Sequence, residues 1–145
     1  MEDTYLSQHF RLSEFTRSAT ASARGIDNTT SASAIDNLRR LCQEVLEPLR
    51  RHLDRPVVIS SGYRCKKLND LVGGSKNSQH TKGQAADIAS DAPIRLARIV
   101  IDRGLDFDQM ILYPNFIHLS YTLERLNRKQ ILYSKDYYGP KLEML

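Results

Sequence analysis

The chain has 145 residues, of which 41% are hydrophobic and 26% charged, and its net charge at pH 7 is +4. This composition is typical of a globular protein, and the length suits a single domain over residues 1–145. No apolar run approaches the length of a membrane span, and the first residues lack the basic and apolar segments of a secretory signal.

The mildly basic charge is compatible with an anionic partner but does not select one. A nucleic-acid-binding domain would explain the Arg- and Lys-rich ends of the chain. However, the sequence has neither zinc-finger spacing nor the interleaved basic and aromatic residues of an RNA-binding sheet. We therefore expect no nucleic-acid partner.

The first half of the chain predicts short helical turns followed by one long amphipathic helix. Two turns are predicted over 13–17 and 18–24, and Ser13 is in position to cap the first. Apolar residues then recur at helical spacing over 33–53, which predicts a helix with a single buried stripe. Pro48 lacks the amide hydrogen that a helix interior needs, so a kink or a new helix start is expected immediately before it.

The second half predicts a small sheet with two further helices. The predicted strands are 56–61, 109–112, 116–121 and 129–134, the predicted helices are 66–72 and 92–103, and 74–84 is predicted to be an irregular loop. Asp91 is expected to cap the second of these helices, with Pro93 in its first turn. Helices followed by mostly antiparallel strands indicate an α+β fold, with helices packed on one side of the sheet. Residues 135–145 are expected to form a loosely held tail.

Two histidines and an aspartate in the second half could bind a metal ion. His80 lies in the predicted loop, Asp87 lies where the sequence becomes extended, and His118 lies in a predicted strand with Ser120 on the same face. Two imidazoles and a carboxylate suit a catalytic zinc site, which typically leaves the fourth position to water. The spacing also allows ordinary hydrogen-bonded polar residues, which are commoner, because no His-Glu-x-x-His helix accompanies it.

Three ordered blocks of sequence strengthen the zinc interpretation. They are Ser60-Ser-Gly-Tyr-Arg64, then Ser78-x-His80-x-x-Gly83-x-Ala85-x-Asp87, then Phe116-Ile-His118-Leu-Ser120. In residue type and spacing these blocks resemble the zinc D-alanyl-D-alanine carboxypeptidases, peptidoglycan peptidases of the hedgehog/DD-peptidase (LAS) superfamily. The likeness covers most of the chain, and residues 10–18, 25–28 and 107–109 look like its short, phage- and prophage-associated branch.

The resemblance implies roles for particular residues. It implies one zinc ion per chain, held by the two histidines and the aspartate, and a metal-activated water that attacks a peptide carbonyl. Arg64 would hold a substrate carboxylate or the developing oxyanion, because a planar guanidinium binds carboxylates through two hydrogen bonds. Ser78 and Ser120 are candidates to support the histidines and to contact the substrate.

The resemblance also implies a substrate and a fold. The substrates would be peptidoglycan stem peptides, cleaved by a D,D-carboxypeptidase or an endopeptidase with a hedgehog/DD-peptidase-like fold, and we expect a monomer. Such substrates lie outside the cytoplasm. A protein without a visible signal would reach them as a released phage lysin or after its leader has been trimmed.

The chain departs from the resembled family at the general base. Relatives carry a Glu or Asp a few residues before the second histidine, whereas residues 110–117 contain no carboxylate. Asn115 occupies this segment, and Tyr113 stands where some relatives have Glu. Asp108 is therefore the candidate base. Without an efficient base, the protein would instead be a zinc-containing module that binds peptidoglycan with weak or no catalysis.

Overall fold

The computed structural model describes residues 3–142, and it confirms the α+β class. The helices are α1 (Leu12–Thr16), α2 (Ala19–Arg24), α3 (Ala32–Leu41), α4 (Glu47–Leu53), α5 (Lys66–Leu71) and α6 (Pro93–Asp102). The strands are β1 (Ile59–Ser61), β2 (Ala85–Ala89), β3 (Gln109–Leu112), β4 (Phe116–Ser120) and β5 (Gln130–Tyr133). Within residues 3–142, no helix is both long and apolar enough to span a bilayer.

The two N-terminal helices have different kinds of cap. Ser18 caps α2, because its Oγ accepts a hydrogen bond from a backbone N–H of the first turn at 3.1 Å. Ser13, predicted to cap the first turn, instead lies inside α1, and its hydroxyl donates to Asp3. At the start of α1 the Glu14 carboxylate accepts from the Arg11 N–H at 2.7 Å. The Ser13 prediction was wrong because an acidic side chain satisfies this helix end.

The long helix is interrupted, as Pro48 predicted, and the interruption lies in the turn before the proline. Cys42–Leu46 form a π-helical segment between α3 and α4. Pro48 then occupies the first turn of α4, where its missing N–H breaks no helical hydrogen bond. The apolar stripe stays buried across the interruption, from Leu38 to Leu49.

The five strands form a mixed sheet in the order β1-β2-β4-β3-β5. Neighbouring strands are antiparallel except for β3 and β5, which are parallel. The prediction of a mostly antiparallel sheet is therefore corrected at this edge. The connection over residues 121–129 crosses the beginning of β3, where the Lys129 N–H bonds to the Phe107 carbonyl at 3.1 Å. This crossing places β5 beyond β3 and aligns the two strands.

The two faces of the sheet differ in polarity because side chains alternate along each strand. Ile117 and Leu119 of β4 are fully buried in the core, where α6 packs against β3, β4 and α4. Asp87 of β2 pairs with His118 of β4, and His118 also pairs with Ile111 of β3. These three side chains lie on the opposite face from the core.

Two local predictions in the second half need correction. Residues 74–84, predicted to be irregular, contain the 3-10 turn Gln79–Lys82. Asp91 does not cap α6, since the hydroxyl of Ser90 accepts from the Ala92 N–H at 3.0 Å and the helix has no side-chain cap of its own.

The described part of the predicted tail packs against the sheet. Tyr137 is 7% exposed and stacks on Tyr133 of β5 with ring centroids 5.5 Å apart. The Leu142 N–H bonds to the Tyr133 hydroxyl at 2.9 Å. Tyr137 and Leu142 thus contact β5, whereas the loosely held tail stays a prediction, and residues 143–145 lie outside the described part of the chain.

Gly83 is the position where a methyl group should cost most. Its φ is +73°, and a Cβ there would lie 2.4 Å from the carbonyl oxygen of Ala34 in α3. Gly25 is a matched control, because its φ is +64° and a Cβ would meet nothing within 4 Å. We expect Gly25→Ala to lower the free energy of unfolding by about 1–2 kcal/mol through backbone strain. Gly83→Ala should cost at least about 1 kcal/mol more, because α3 must shift. Denaturant unfolding measures both, and equal losses would contradict the close contact.

Candidate active site

The three predicted metal ligands come together on the polar face of the sheet. One ligand atom from each of His80, Asp87 and His118 lies within 4.8 Å of the other two. Asp87 Oδ1 is 2.9 Å from His118 Nδ1 and 3.3 Å from His80 Nε2. The two imidazole rings meet edge to face with centroids 5.1 Å apart. All three side chains are at most 15% exposed.

The fold fixes each ligand through a different element. Cross-strand pairing of β2 with β4 places Asp87 opposite His118. His80 comes from the 3-10 turn, whose N-cap Ser78 accepts from the His80 N–H at 3.2 Å. The carbonyl of Gly62, after β1, lies 2.6 Å from His80 Nδ1. Because a carbonyl can only accept, His80 donates from Nδ1 to Gly62 and turns Nε2 toward Asp87.

This arrangement fits a divalent cation. Burial alone would raise the pKa of Asp87, but hydrogen bonds from His118 and His80 outweigh it and hold that pKa well below its usual range. An ionised carboxylate therefore faces Nε2 of His80 at 3.3 Å. Such a contact requires a proton or a cation between the two atoms. Two nitrogens and a carboxylate that converge on one point are the donor set that zinc accepts, and Gly62 supplies the outer partner that metal-bound histidines usually have.

Arg64 lines the cavity beside the candidate metal ligands. Its backbone N–H bonds to the carbonyl of His80 at 3.1 Å, and its side chain lines the same cavity as the ligands. Its Nε is buried and has no hydrogen-bond partner among the described residues. Burial lowers the pKa of Arg64, but a guanidinium stays charged at neutral pH. A partly buried cation with an unused donor is well suited to bind an anionic group of a substrate.

The cavity beside these residues has a volume of about 730 Å³ and a polar, mainly cationic wall. The acidic side chains in its wall are Asp87 and Glu124. The lysine and arginine side chains in its wall are Arg64, Lys82, Arg125 and Arg128. Tyr113 and Phe116 form an aromatic part of the wall, with their rings stacked 4.1 Å apart. The cavity therefore suits a polar, anionic ligand better than an apolar one.

The two predicted serines have different environments. Ser78 lines the cavity and caps the turn that carries His80. Ser120 is fully buried, does not line the cavity, and its hydroxyl accepts from the Gln109 N–H of β3 at 2.9 Å. The position of Ser120 does not favour the predicted contact with substrate, because a neighbouring strand covers the hydroxyl.

Asp108, the predicted base, lies outside the cavity wall. It is fully buried and forms ion pairs with Arg125 and Arg128 at 2.6 and 2.8 Å. Burial alone would raise the pKa of Asp108, but hydrogen bonds from Arg128 and Arg125 hold it far below its usual range. A carboxylate in this environment takes up a proton poorly, which disfavours the predicted role. That role stays an untested prediction.

The structure brings further residues to the cavity that the sequence did not single out. They are Gln79, Lys82, Glu124, Arg125 and Arg128. Tyr113, noted only as a departure from the family pattern, also faces the cavity, and burial raises the pKa of its phenol so that it stays protonated at neutral pH. No local motif marks the residues of the 121–129 connection, because their position depends on how that connection crosses β3.

The comparisons with known proteins agree with the geometry. The chain matches the family model described as Peptidase M15 over residues 8–120. The matched region includes all three candidate ligands and Arg64, and it ends before Arg125 and Arg128. No curated protein matches the chain significantly. Because the match covers well over half of its length, the chain belongs to the peptidase M15 family, a zinc D-alanyl-D-alanine carboxypeptidase-like family.

Proposed function

We propose that the protein is a zinc-dependent metallopeptidase that cleaves peptide bonds in peptidoglycan stem peptides, as a D,D-carboxypeptidase or an endopeptidase. The observation that carries this proposal is the convergence of His80, Asp87 and His118 beside Arg64 at one wall of the cavity, in a chain of the peptidase M15 family.

Different residues of the chain would have different roles in such a reaction. A zinc ion bound at this site would supply an activated water and polarise the peptide carbonyl. Gly62 holds the His80 ring by its Nδ1 so that Nε2 points to the site, and Asp87 holds the His118 ring by its Nδ1. Arg64 is positioned to bind a substrate carboxylate or the oxygen that gains negative charge. The largely buried ligands keep bulk water from competing for these groups.

The proton acceptor has two candidate carboxylates. Asp108 is the one predicted from the sequence, but its two arginine partners make it a weak base. Among the described residues, Glu124 is the carboxylate that lines the cavity and is not a candidate metal ligand. Gln84 and Lys82 hold it at 3.1 and 3.4 Å.

A zinc-containing binding module with weak or no catalysis is the second candidate function, because the arginine pairs of Asp108 leave the predicted base poorly able to act.

Cleavage of a defined substrate separates these two functions. The protein would be freed of metal with a chelator, reloaded with one equivalent of zinc, and mixed with a synthetic stem pentapeptide and with purified peptidoglycan. Mass spectrometry would then identify the fragments. A peptidase releases specific fragments only after reloading, and the loss of one terminal alanine indicates a carboxypeptidase. Zinc-loaded protein that binds the pentapeptide and leaves it intact would establish the binding module.

Replacing Arg64 tests which group it binds. Arg64→Lys keeps the charge but loses the two-pronged hydrogen bonding. We expect kcat/KM for a peptide with a free terminal carboxylate to fall about 10- to 100-fold, the value of a charge-assisted hydrogen bond. The control substrate is the same peptide with an amidated terminus, for which little change is expected. Equal losses on both peptides would assign Arg64 to the reacting oxygen, and no loss on either would contradict both roles.

A further inference from the structure

Two arginines in the cavity wall are not used by the proposed reaction. Arg125 and Arg128 lie in the connection between β4 and β5, and both line the cavity that contains the metal ligands. Their side chains are 48% and 45% exposed. They follow the family match, which ends at residue 120, so they belong to a part of this chain that the match does not cover.

Both arginines are held on the same buried carboxylate. Arg125 donates from Nη1 and Nη2 to Asp108 at 2.6 and 3.1 Å, and Arg128 donates from Nε and Nη2 at 3.0 and 2.8 Å. One carboxylate balances one of the two positive charges. Each guanidinium has five N–H donors, so each keeps donors that Asp108 does not use. The pair therefore presents a net positive charge in a fixed orientation at the cavity wall.

Asp108 also ties this pair to the metal centre. It accepts from Gln79 Nε2 at 2.9 Å, and Gln79 directly precedes the ligand His80 in the 3-10 turn. The amide oxygen of Gln79 is buried at the cavity and has no hydrogen-bond partner among the described residues. The arginine pair and the candidate metal ligands are thus linked through Asp108 and Gln79.

The other charges of the wall do not cancel the pair. Lys82 and Glu124 form an ion pair with each other at 3.4 Å, and Asp87 belongs to the ligand set. Two cationic positions remain in the wall, Arg64 beside the candidate ligands and the arginine pair, of which Arg125 also interacts with Glu124. A ligand that matches both would carry two separate negative groups.

We propose that Arg125 and Arg128 form a second anion-binding subsite, which selects acidic peptides that carry a carboxylate away from the bond to be cleaved. This inference rests on the proposed peptidase function and names its substrate class. Asp108 is then a positioning residue, because it orients the two guanidinium groups without touching the peptide. Because the two arginine side chains are about half exposed, a substrate carboxylate can reach them. A guanidinium that binds the carboxylate through two hydrogen bonds also fixes its orientation.

Paired peptides test the subsite without requiring cleavage. Each peptide ends in D-alanyl-D-alanine and carries glutamate at one of the three preceding positions, and its twin carries glutamine there. Affinities are measured by calorimetry on the chelator-treated protein, and kcat/KM is measured on the zinc-loaded protein. We expect one glutamate peptide to bind at least about tenfold more tightly than its twin, as one charge-assisted contact implies.

Single variants locate the preference. Arg125→Gln and Arg128→Gln each leave the other arginine on Asp108, and each should reduce the glutamate preference to about threefold or less. Arg103→Gln, an exposed position beyond α6, removes the same charge and should leave the preference intact. A purely structural effect would weaken both twins equally, and thermal unfolding confirms that each variant is folded.

The outcomes separate this inference from the proposed function. Equal affinity for all twins, or a preference that survives in both variants, would overturn the subsite whether or not the protein cleaves. Selective binding without cleavage by the zinc-loaded protein would overturn the peptidase and keep the subsite. Cleavage without any glutamate preference would keep the peptidase and overturn the subsite.

Discussion

His80→Ala should abolish zinc-dependent cleavage and lower zinc affinity by more than about 100-fold. Loss of an outer partner of a metal ligand typically costs 10- to 100-fold, so loss of a ligand itself should cost more. Zinc content after dialysis and the rate of stem-peptide cleavage measure the two effects. His118→Ala should behave in the same way, which guards against an effect of the space left by the buried His80 side chain.

His52→Ala is the matched control for both ligand variants. His52 is exposed on α4 and is not part of the cavity wall, so zinc binding and cleavage should be unchanged. If His80→Ala retained one zinc ion per chain with undiminished affinity, the assigned ligand set would be incorrect. If it lost zinc but still cleaved, the metal would be structural and the proposed mechanism would fail.

Asp108→Asn should lower the free energy of unfolding at pH 7 by about 3 kcal/mol. Breaking a buried ion pair typically costs about 3–5 kcal/mol, and the lower end applies because the guanidinium groups of Arg125 and Arg128 are half exposed. Asp106→Asn is the control, since Asp106 is exposed and, within residues 3–142, accepts one side-chain hydrogen bond, from Asn127 at 3.3 Å. Denaturant unfolding of the two variants measures the difference.

The ion pairs of Asp108 with Arg125 and Arg128 should also make the free energy of unfolding depend on pH in the acidic range. Its pKa is lower in the folded protein than in the unfolded chain, where an aspartate has a pKa of about 3.9. The stabilisation is therefore complete above about pH 5 and is lost as the pH falls through and below the unfolded value. Asp108→Asn should flatten this part of the pH profile. A variant that kept wild-type stability and pH profile but lost cleavage would instead support Asp108 as the base.

The three candidate ligands could be found from the sequence because their residue types and spacing lie in local segments. Alternation along the strand places His118 opposite the apolar residues Ile117 and Leu119, and the structure agrees. The same alternation put Ser120 on the polar face, but it could not reveal that β3 covers the hydroxyl there. A period of two gives the direction of a side chain, while its accessibility depends on the neighbouring strand.

The cationic wall could not be predicted, because it depends on contacts between distant segments. Arg125 and Arg128 reach the cavity since residues 121–129 cross the beginning of β3, and the hydrophobic pattern does not encode that route. Their partner Asp108 lies 17 and 20 residues earlier in the chain. From sequence, Asp108 could be interpreted only as the nearest acid that precedes His118, whereas the structure explains its charge by its two arginine partners.

The position of β4 in the middle of the sheet has a consequence for the motions of the site. β2 and β3 flank it on both sides, so its backbone amides bond alternately to the two neighbours, and each can exchange with solvent only when its ladder of hydrogen bonds opens. Fraying of the outer strands β1 and β5 leaves Asp87 and His118 in register. The third ligand, in contrast, lies on a single short turn. A bound cation would therefore link the central strands β2 and β4, which open slowly, to the short 3-10 turn that carries His80. The geometry of the candidate ligands would first be lost at His80.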